Sequence, residues 1–199
     1  MLYDNFTIEY YTPLSLDDRP FHLRHDIYCA QNNFLPTRSD EREIDHYDVY
    51  APQAVIFLAR IREPVAVVRV IPFSTAYDLP FAQFAPGYAT AKHWGEVSRI
   101  GISKTARLNI QERREVMCHL FKAVYQLSVC LGVTHWACVM PAALQLRMAM
   151  LGVEFLSVGE PVEYHGVRQP CVGVAHRVLS NLEAETPGLY RYVTQEGKV

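Results

Sequence analysis

The sequence predicts a mixed α/β or α+β fold in which helices pack on a central sheet. Runs of β-branched residues alternate with segments of helical periodicity, in the order helix, three strands, helix, strand, helix and two strands. The length of 199 residues suits one domain over positions 1–199. Half of the residues are apolar and a fifth are charged, which is typical of globular proteins.

The first predicted helix runs from Ser15–Asp18 to about residue 32. A hydroxyl followed by carboxylates suits a helix start, and Pro20 falls early, where a missing N–H costs least. Arg24 and Tyr28 form an i, i+4 pair on one face of this helix. The polar and acidic residues 33–50 predict a loop.

Three strands are predicted next. The β-rich runs over 54–59 and 65–71 are joined by Arg60–Pro64 and indicate a hairpin. A long ordered loop over 72–93 precedes a strand at Trp94–Ile102.

A long helix at Gln111–Leu131 opens the second half, with apolar side chains three and four residues apart and Gly132 as its stop. The remaining predicted elements are shorter: a strand over 133–139, a helix over 141–151 that Gly152 ends, and strands over 153–158 and 171–178. The last twenty residues are polar and indicate no single structure.

Several functional classes are disfavoured. The net charge of −2 argues against general nucleic-acid binding. The sequence contains no run of about 18 apolar residues, so we do not expect an integral membrane protein. Met1–Asn5 is neither basic nor a long apolar stretch, so we expect a cytoplasmic protein. The five cysteines form no C-x-x-C pair, which favours reduced thiols. His165 has no second histidine at ligand spacing, so no metal site is predicted.

Charged residues in two contexts are candidates for a site. The acidic loop carries Glu43, Asp45 and Asp48, which either face solvent or hold an arginine or a substrate ammonium. Arg69 lies within an apolar strand, where unpaired burial costs several kcal/mol. Arg69 is therefore expected either in a structural ion pair or beside a cleft.

Glu96, Ser98 and Arg99 lie in the third strand. In a regular strand, Glu96 and Ser98 share one face and Arg99 points to the other. Apolar neighbours favour a raised pKa for the Glu96 carboxyl, which would suit a general base. Alternatively, Glu96 neutralises Arg69 or Arg24.

Four segments in this order resemble the acyl-homoserine-lactone synthases and their relatives, the N-acyl amino acid synthases: Leu23–Tyr28, Glu43-x-Asp45-x-x-Asp48, Val68–Pro72 and Glu96–Arg99. The resemblance covers about residues 20–178 and implies a GNAT-like acetyltransferase fold. Segments of the second half are closer to the N-acyl amino acid synthases, including N-acyl tyrosine synthases, and to exosortase-associated acyltransferases: Met140–Pro141, Arg147, Gly152–Phe155, Gly159–Val162 and Glu163–Pro170.

The resemblance implies an enzyme that moves a long-chain fatty acyl group from acyl carrier protein to the amino group of an amino acid, with tyrosine as first choice and no bound cofactor. Glu96 would be the base, and either Arg147 or Arg168 would hold the carboxylate of the acceptor. An ionic scaffold would surround the cleft, formed by Arg24, Tyr28, Asp45, Asp48, Arg69, Ser98 and Arg99.

The expected donor follows from Ser103–Gln111, which contains no glycine. Acetyl-CoA-dependent members of the wider fold usually have a glycine-rich turn that binds the pyrophosphate. A carrier protein presents only phosphopantetheine and needs no such turn. Four basic residues would meet the acidic carrier protein: Lys104, Arg107, Arg113 and Arg114.

Two alternatives stand beside this function. One is an acyl-homoserine-lactone synthase that uses S-adenosylmethionine. The other is a non-catalytic module that binds acyl chains or a carrier protein.

Overall fold

Eight strands form a mixed sheet in the computed structural model, which describes residues 4–195. The strands are β1 (Phe6–Tyr11), β2 (Gln53–Leu58), β3 (Glu63–Pro72), β4 (Trp94–Ile102), β5 (His135–Met140), β6 (Leu156–Ser157), β7 (Val162–Glu163) and β8 (Val167–Val174). Their order is β1-β2-β3-β4-β5-β8-β6, with β7 paired to β8. The predicted mixed α/β class is confirmed. Met1–Tyr3, part of the segment judged free of a targeting signal, lies outside the described residues.

The described residues also form five α-helices: α1 (Arg19–His25), α2 (Ile110–Leu131), α3 (Ala142–Ala149), α4 (Ala175–Glu185) and α5 (Pro187–Thr194). Within residues 4–195, no helix has the length and apolar character needed to cross a membrane. The chain divides into two compact units. The first contains the described residues up to Arg69 together with Arg99–Val124, and the second contains Val70–Ser98 and the described chain from Tyr125. The single domain over 1–199 stays a prediction.

The first unit confirms the predicted hairpin. Strands β2 and β3 pair antiparallel, and β1 adds to the outer edge of β2, from Phe6 opposite Leu58 to Tyr11 opposite Gln53. The sequence analysis missed β1. The core of this unit joins β1, α1 and the hairpin through buried apolar side chains: Tyr11, Leu23, Ile27, Val55, Phe57 and Val67.

The first helix is shorter than predicted. Ser15 Oγ accepts the N–H of Asp17, and the Asp17 carboxylate accepts the N–H of Arg19, so these residues form turns before the helix begins. After His25 the chain continues as a π-helical turn at Asp26–Ala30. The prediction of one helix from Ser15 to residue 32 was therefore wrong at both ends.

In the second unit, β8 is the strand to which three others pair. It runs antiparallel to β5 over six residue pairs, and β6 and β7 also pair with it. The predicted strand over 153–158 is reduced to Leu156–Ser157, and the strand predicted over 171–178 begins at Val167 and ends at Val174. Residues 175–178 open α4, and much of the polar C-terminal segment is helical.

The core of the second unit contains Trp136, which is fully buried and donates its indole N–H to Ser128 Oγ at 2.8 Å. Gly173 lies opposite Trp136 in the strand pairing. A Cβ at Gly173 would lie 2.9 Å from Phe155 Cε1. The absence of a side chain at this position therefore allows both aromatic rings to approach the backbone of β8.

We expect Gly173→Ala to lower the free energy of unfolding by about 1–3 kcal/mol, the usual cost of overpacking. Gly188→Ala is a matched control, because a Cβ at Gly188 meets no atom within 4 Å; it should leave stability unchanged or raise it by up to ~1 kcal/mol. Urea unfolding of the two variants measures the difference. Equal stability of both variants would contradict this packing account.

Candidate active site

Six charged side chains of the first unit form a closed ring in which positive and negative groups alternate. Each carboxylate contacts two guanidinium groups, and each guanidinium contacts two carboxylates. In order around what we call the charge ring, the members are Arg24, Glu43, Arg99, Asp45, Arg69 and Asp48.

The hydrogen bonds of the charge ring are short and mostly forked. Arg69 donates to both oxygens of Asp45, at 2.7 and 2.9 Å, and to Asp48 Oδ1 at 2.7 Å. Arg99 donates to both oxygens of Glu43, at 2.9 and 3.0 Å, and to Asp45 Oδ2 at 3.0 Å. Planar guanidinium groups suit such bidentate contacts with carboxylates.

The ring closes through Arg24, which is fully buried. Arg24 donates to the two oxygens of Asp48 at 2.6 and 3.1 Å, contacts Glu43, and donates to Gln53 Oε1 at 3.1 Å. Arg69 is also almost fully buried. Burial of these charges is tolerated because the three positive and three negative groups balance and hydrogen-bond one another.

The ionisation of the carboxyls follows from two opposing effects. Burial raises their pKa, but the guanidinium partners outweigh it, so the pKa values of Glu43 and Asp48 lie below the ordinary range and that of Asp45 falls to about 2. The carboxylates therefore stay charged at neutral pH. They act as fixed anchors for the loop that carries them rather than as acids or bases.

Of the predicted site residues, the structure joins five in the charge ring. The acidic loop holds arginines, so the solvated-loop alternative was wrong. Glu43, a candidate of the acidic loop that was left out of the expected scaffold, is the sixth member, and Gln53 adds a hydrogen bond to Arg24. The spacing Glu43-x-Asp45-x-x-Asp48 was the available signal for Glu43, whereas nothing in the sequence singled out Gln53.

Arg99 occupies a bulge in β4. Phe73 donates its N–H to Trp94 O, and Ser103 donates its N–H to Val65 O, so nine steps along β4 match eight along β3. The positive φ of Arg99, 54°, marks the extra residue. The strict alternation that placed Arg99 opposite Glu96 and Ser98 therefore does not hold through Arg99.

Tyr28 supports Arg99 in the first unit. Its hydroxyl donates to Ile100 O at 2.8 Å, and its ring centroid lies 5.6 Å from the guanidinium carbon of Arg99. This contact is consistent with a cation–π interaction.

Glu96 lies in the second unit and is 5% exposed. Its Oε2 accepts the N–H of Phe81 at 2.6 Å, in the first turn of a 3-10 helix at Pro80–Gln83. Backbone N–H groups at the start of such a helix lack internal partners and favour a negative charge. The short helix thus fixes one oxygen of the carboxylate.

The parallel pairing of β4 with β5 covers only three residue pairs and ends at Glu96 opposite Ala137. Within the described chain no further pairing of these two strands is found, although β4 continues to Ile102 and β5 to Met140. We call the region that follows, between Val97–Ser98 and Cys138–Met140, the strand gap. Half-buried Ser98 belongs to it. Backbone N–H groups that end a strand pairing can bind a carbonyl oxygen.

Cys138 follows Ala137 and is the nearest thiol to this position in the sequence. Burial, the neighbouring Cys171 and the charge of Glu96 raise the pKa of the Cys138 thiol well above its ordinary value. A protonated thiol is a weak nucleophile. The surroundings therefore do not favour Cys138 as a nucleophile.

The two arginines predicted to bind the carboxylate of the acceptor both lie in the second unit, and they differ in their hydrogen-bond partners. Arg147 is exposed on α3, and its guanidinium has no partner among the described residues. Arg168 Nε donates to Tyr164 O at 2.6 Å, and Nη2 donates to His165 O at 3.0 Å. In the described chain, no group of three or more His, Cys, Asp or Glu residues is arranged to hold a metal ion.

The basic residues predicted to meet a carrier protein lie in the first unit. Arg107 and Arg114 are exposed. Lys104 Nζ donates to Gln31 O and Asn32 Oδ1, at 3.1 and 2.6 Å, and Arg113 Nε donates to a backbone carbonyl, Leu108 O.

The start of α2 is capped by its own residues. Asn109 Oδ1 accepts the N–H of Glu112 at 2.9 Å, and Glu112 Oε2 accepts the N–H of Asn109 at 2.8 Å. This reciprocal capping box satisfies N–H groups that would otherwise be available at the helix start.

Comparison with known proteins finds a family by sequence and similar folds by structure. Residues 19–177 match the family described as N-acyl amino acid synthase FeeM. The structure of FeeM, from uncultured soil microbes, is similar with a TM-score of 0.64 and 14% identity, over 90% of this chain and 96% of that chain. No curated protein sequence matches.

Two further solved structures are also similar. BjaI, a CoA-dependent acyl-homoserine lactone synthase solved with MTA, has a TM-score of 0.71 and 18% identity, over 96% of this chain and 91% of its own. TofI, in a ternary complex with an inhibitor and MTA, has a TM-score of 0.71 and 19% identity, over 92% and 99% of the two chains. These likenesses confirm the expected GNAT-like fold.

We expect Arg69→Met to lower the free energy of unfolding by about 3–5 kcal/mol, because it leaves buried carboxylates without a partner. The control is Arg38→Met, which removes an ion pair between exposed side chains, Arg38 and Asp40, and should change stability little. Chemical unfolding followed by circular dichroism measures both. Similar small losses in the two variants would show that the charge ring does not stabilise the fold.

Proposed function

Because the chain belongs to the N-acyl amino acid synthase FeeM family, we propose that it transfers a long-chain fatty acyl group from acyl carrier protein to the amino group of an amino acid, and that tyrosine is the preferred acceptor. Family membership identifies the chain as an acyltransferase. The donor and the acceptor are the finer parts of the proposal.

The observation that carries the mechanism is the position of Glu96 where the β4–β5 pairing ends. An amino acid arrives as an ammonium and must lose a proton before its nitrogen attacks the thioester carbonyl. Glu96 takes this proton directly or through one water. Backbone N–H groups in the strand gap hold the oxyanion that forms. After the C–N bond forms, the nitrogen loses a second proton and the C–S bond breaks. The thiolate leaves and takes up this second proton, so that an amide and a thiol are formed.

The carrier-protein donor is supported by the start of α2. Its capping box occupies N–H groups that a CoA pyrophosphate would use, and it adds the carboxylate of Glu112 there. A carrier protein presents a single phosphodiester, and its acidic surface would meet exposed Arg107 and Arg114. BjaI is described as CoA-dependent, so the donor needs a direct test.

The cytoplasm is the compartment we propose for this reaction. None of the five cysteines, all of which lie among the described residues, forms a disulfide, as is usual in a reducing environment.

A donor and acceptor assay tests this function. The purified protein is given one acyl chain, carried by acyl carrier protein or by CoA, with an equimolar mixture of amino acids, S-adenosylmethionine being included in parallel. Mass spectrometry of the products should find N-acyl tyrosine as the main product. We expect a higher kcat/KM with the carrier protein, and a decrease as salt screens the exposed charges over about 8 Å at physiological ionic strength.

Each part of the proposal has its own contrary outcome in this assay. Equal or faster reaction with acyl-CoA would overturn the donor. Exclusive acylation of glycine would overturn the acceptor. Lactone formation from S-adenosylmethionine would assign the chain to the acyl-homoserine-lactone synthases, and binding of the acyl carrier without any transfer would leave only a binding module.

We expect Glu96→Gln to lower kcat by roughly 10²–10⁴-fold, the usual contribution of a positioned general base. The loss should shrink as pH rises, because more of the amine is already deprotonated. Glu183→Gln, at an exposed position of α4, is the control for a lost carboxylate and should retain the wild-type rate. A Glu96→Gln variant with near-normal kcat at neutral pH would remove Glu96 from this role.

A further inference from the structure

The turn of the short β7–β8 hairpin is held by several hydrogen bonds. Strand β7 has two residues, and a hairpin of this size is marginal by itself. The Tyr164 N–H donates to Gly166 O and Glu163 Oε1 accepts the Gly166 N–H, both at 3.0 Å. Arg168 adds its bonds to the carbonyls of Tyr164 and His165. The turn therefore holds its backbone, and with it Tyr164, in one position.

The ring of Tyr164 packs on Phe84 of the same unit. The ring centroids are 5.0 Å apart, with an angle of 57° between the planes. Both residues are half-buried, so part of each ring faces solvent. Gly159 lies beside Phe84, because a Cβ at Gly159 would lie 3.5 Å from Phe84 O. The Gly159 carbonyl accepts Gln169 Nε2–H at 3.1 Å.

Phe84 is linked to Glu96 through one turn of helix. The Phe84 N–H donates to Phe81 O at 3.0 Å, and the Phe81 N–H donates to Glu96 Oε2 at 2.6 Å. The same 3-10 segment thus positions the carboxylate on one side and the aromatic pair on the other. Both the half-buried aromatic pair and the Glu96 carboxylate are thus attached to this short helix, and aromatic rings offer a surface on which an aromatic ligand can pack.

We propose that Tyr164 and Phe84 form an aromatic wall of the acceptor subsite, and that Arg168 is a positioning residue that presents Tyr164 rather than a group that binds the carboxylate of the acceptor. This inference rests on the proposed function and names the acceptor class as aromatic amino acids. Edge-to-face contact between aromatic rings favours an aromatic over an aliphatic side chain by up to about tenfold. Arg147 is then the arginine available for the carboxylate, since its guanidinium is exposed and has no partner among the described residues.

The test compares tyrosine and leucine as acceptors, with one acyl donor, in wild type, Tyr164→Leu and Tyr164→Phe. We expect Tyr164→Leu to lower the ratio of kcat/KM for tyrosine over leucine by roughly tenfold. The change should lie mainly in the KM for tyrosine. Tyr164→Phe keeps the ring and should keep the ratio. Tyr190→Leu, a half-buried tyrosine of α5, is the control and should leave the ratio unchanged.

Arg168→Met separates the two roles of Arg168. If Arg168 positions Tyr164, this variant lowers the preference for tyrosine as Tyr164→Leu does, and the KM for leucine stays close to wild type. If Arg168 instead bound the carboxylate, the KM of every amino acid would rise by the same factor, and that part of the inference would be overturned. Thermal unfolding of each variant verifies that it is folded, and Tyr164→Leu supplies the test if Arg168→Met is not.

The inference and the proposed function fail in different ways. A wild-type enzyme that acylates tyrosine, with an unchanged ratio in Tyr164→Leu, overturns only the aromatic wall. A change in the preferred acyl length, without a change in acceptor, would place these rings beside the acyl chain and also overturn it. A wild-type enzyme that acylates no aromatic amino acid overturns the tyrosine acceptor and the aromatic wall together.

Discussion

The charge ring is the interaction on which the first unit depends. Its six groups come from α1, the acidic loop, β3 and β4, so the ring ties together parts of the chain that are far apart in sequence. A buried ion pair by itself is weak support for a fold, because desolvation offsets the attraction. In the closed ring each charged group contacts two groups of opposite charge, so the removal of one member leaves each of its two neighbours with one partner fewer. This arrangement makes the acidic loop a rigid part of the structure although it has almost no regular secondary structure.

Strand β4 contributes a residue to the charge ring and also carries Glu96. Strand β4 carries Glu96 three residues before Arg99, and the bulge lies at Arg99. Before the bulge, β4 pairs with β5 and places Glu96 where that pairing ends. The same strand thus carries a guanidinium of the charge ring and a carboxylate that accepts a helix N–H.

Several parts of the site follow from the sequence by physical argument. An arginine in an apolar strand must have partners. Glu96 was the carboxylate named for Arg69, whereas the structure shows Asp45 and Asp48 of the acidic loop as partners. The bounds of β4, Trp94–Ile102, were predicted correctly, and Arg99, expected in an ionic scaffold, pairs with Glu43 and Asp45. The stops of α2 and α3 were predicted from Gly132 and Gly152, whose φ values of +67° and +81° are the left-handed conformation that glycine adopts most easily.

The sequence by itself determined the fold class, the hairpin, the long helix and the need to pair the buried charges, because these depend on periodicity and on the cost of burial. The closure of the charge ring, the fastening of Tyr164 by Arg168, the bulge at Arg99 and the end of the β4–β5 pairing were decided only in the tertiary structure. Each of these depends on the distance between residues from separate elements, or on a one-residue change of register. Periodicity carries no information about such distances, and a register change alters which side chains meet without altering the composition of any segment.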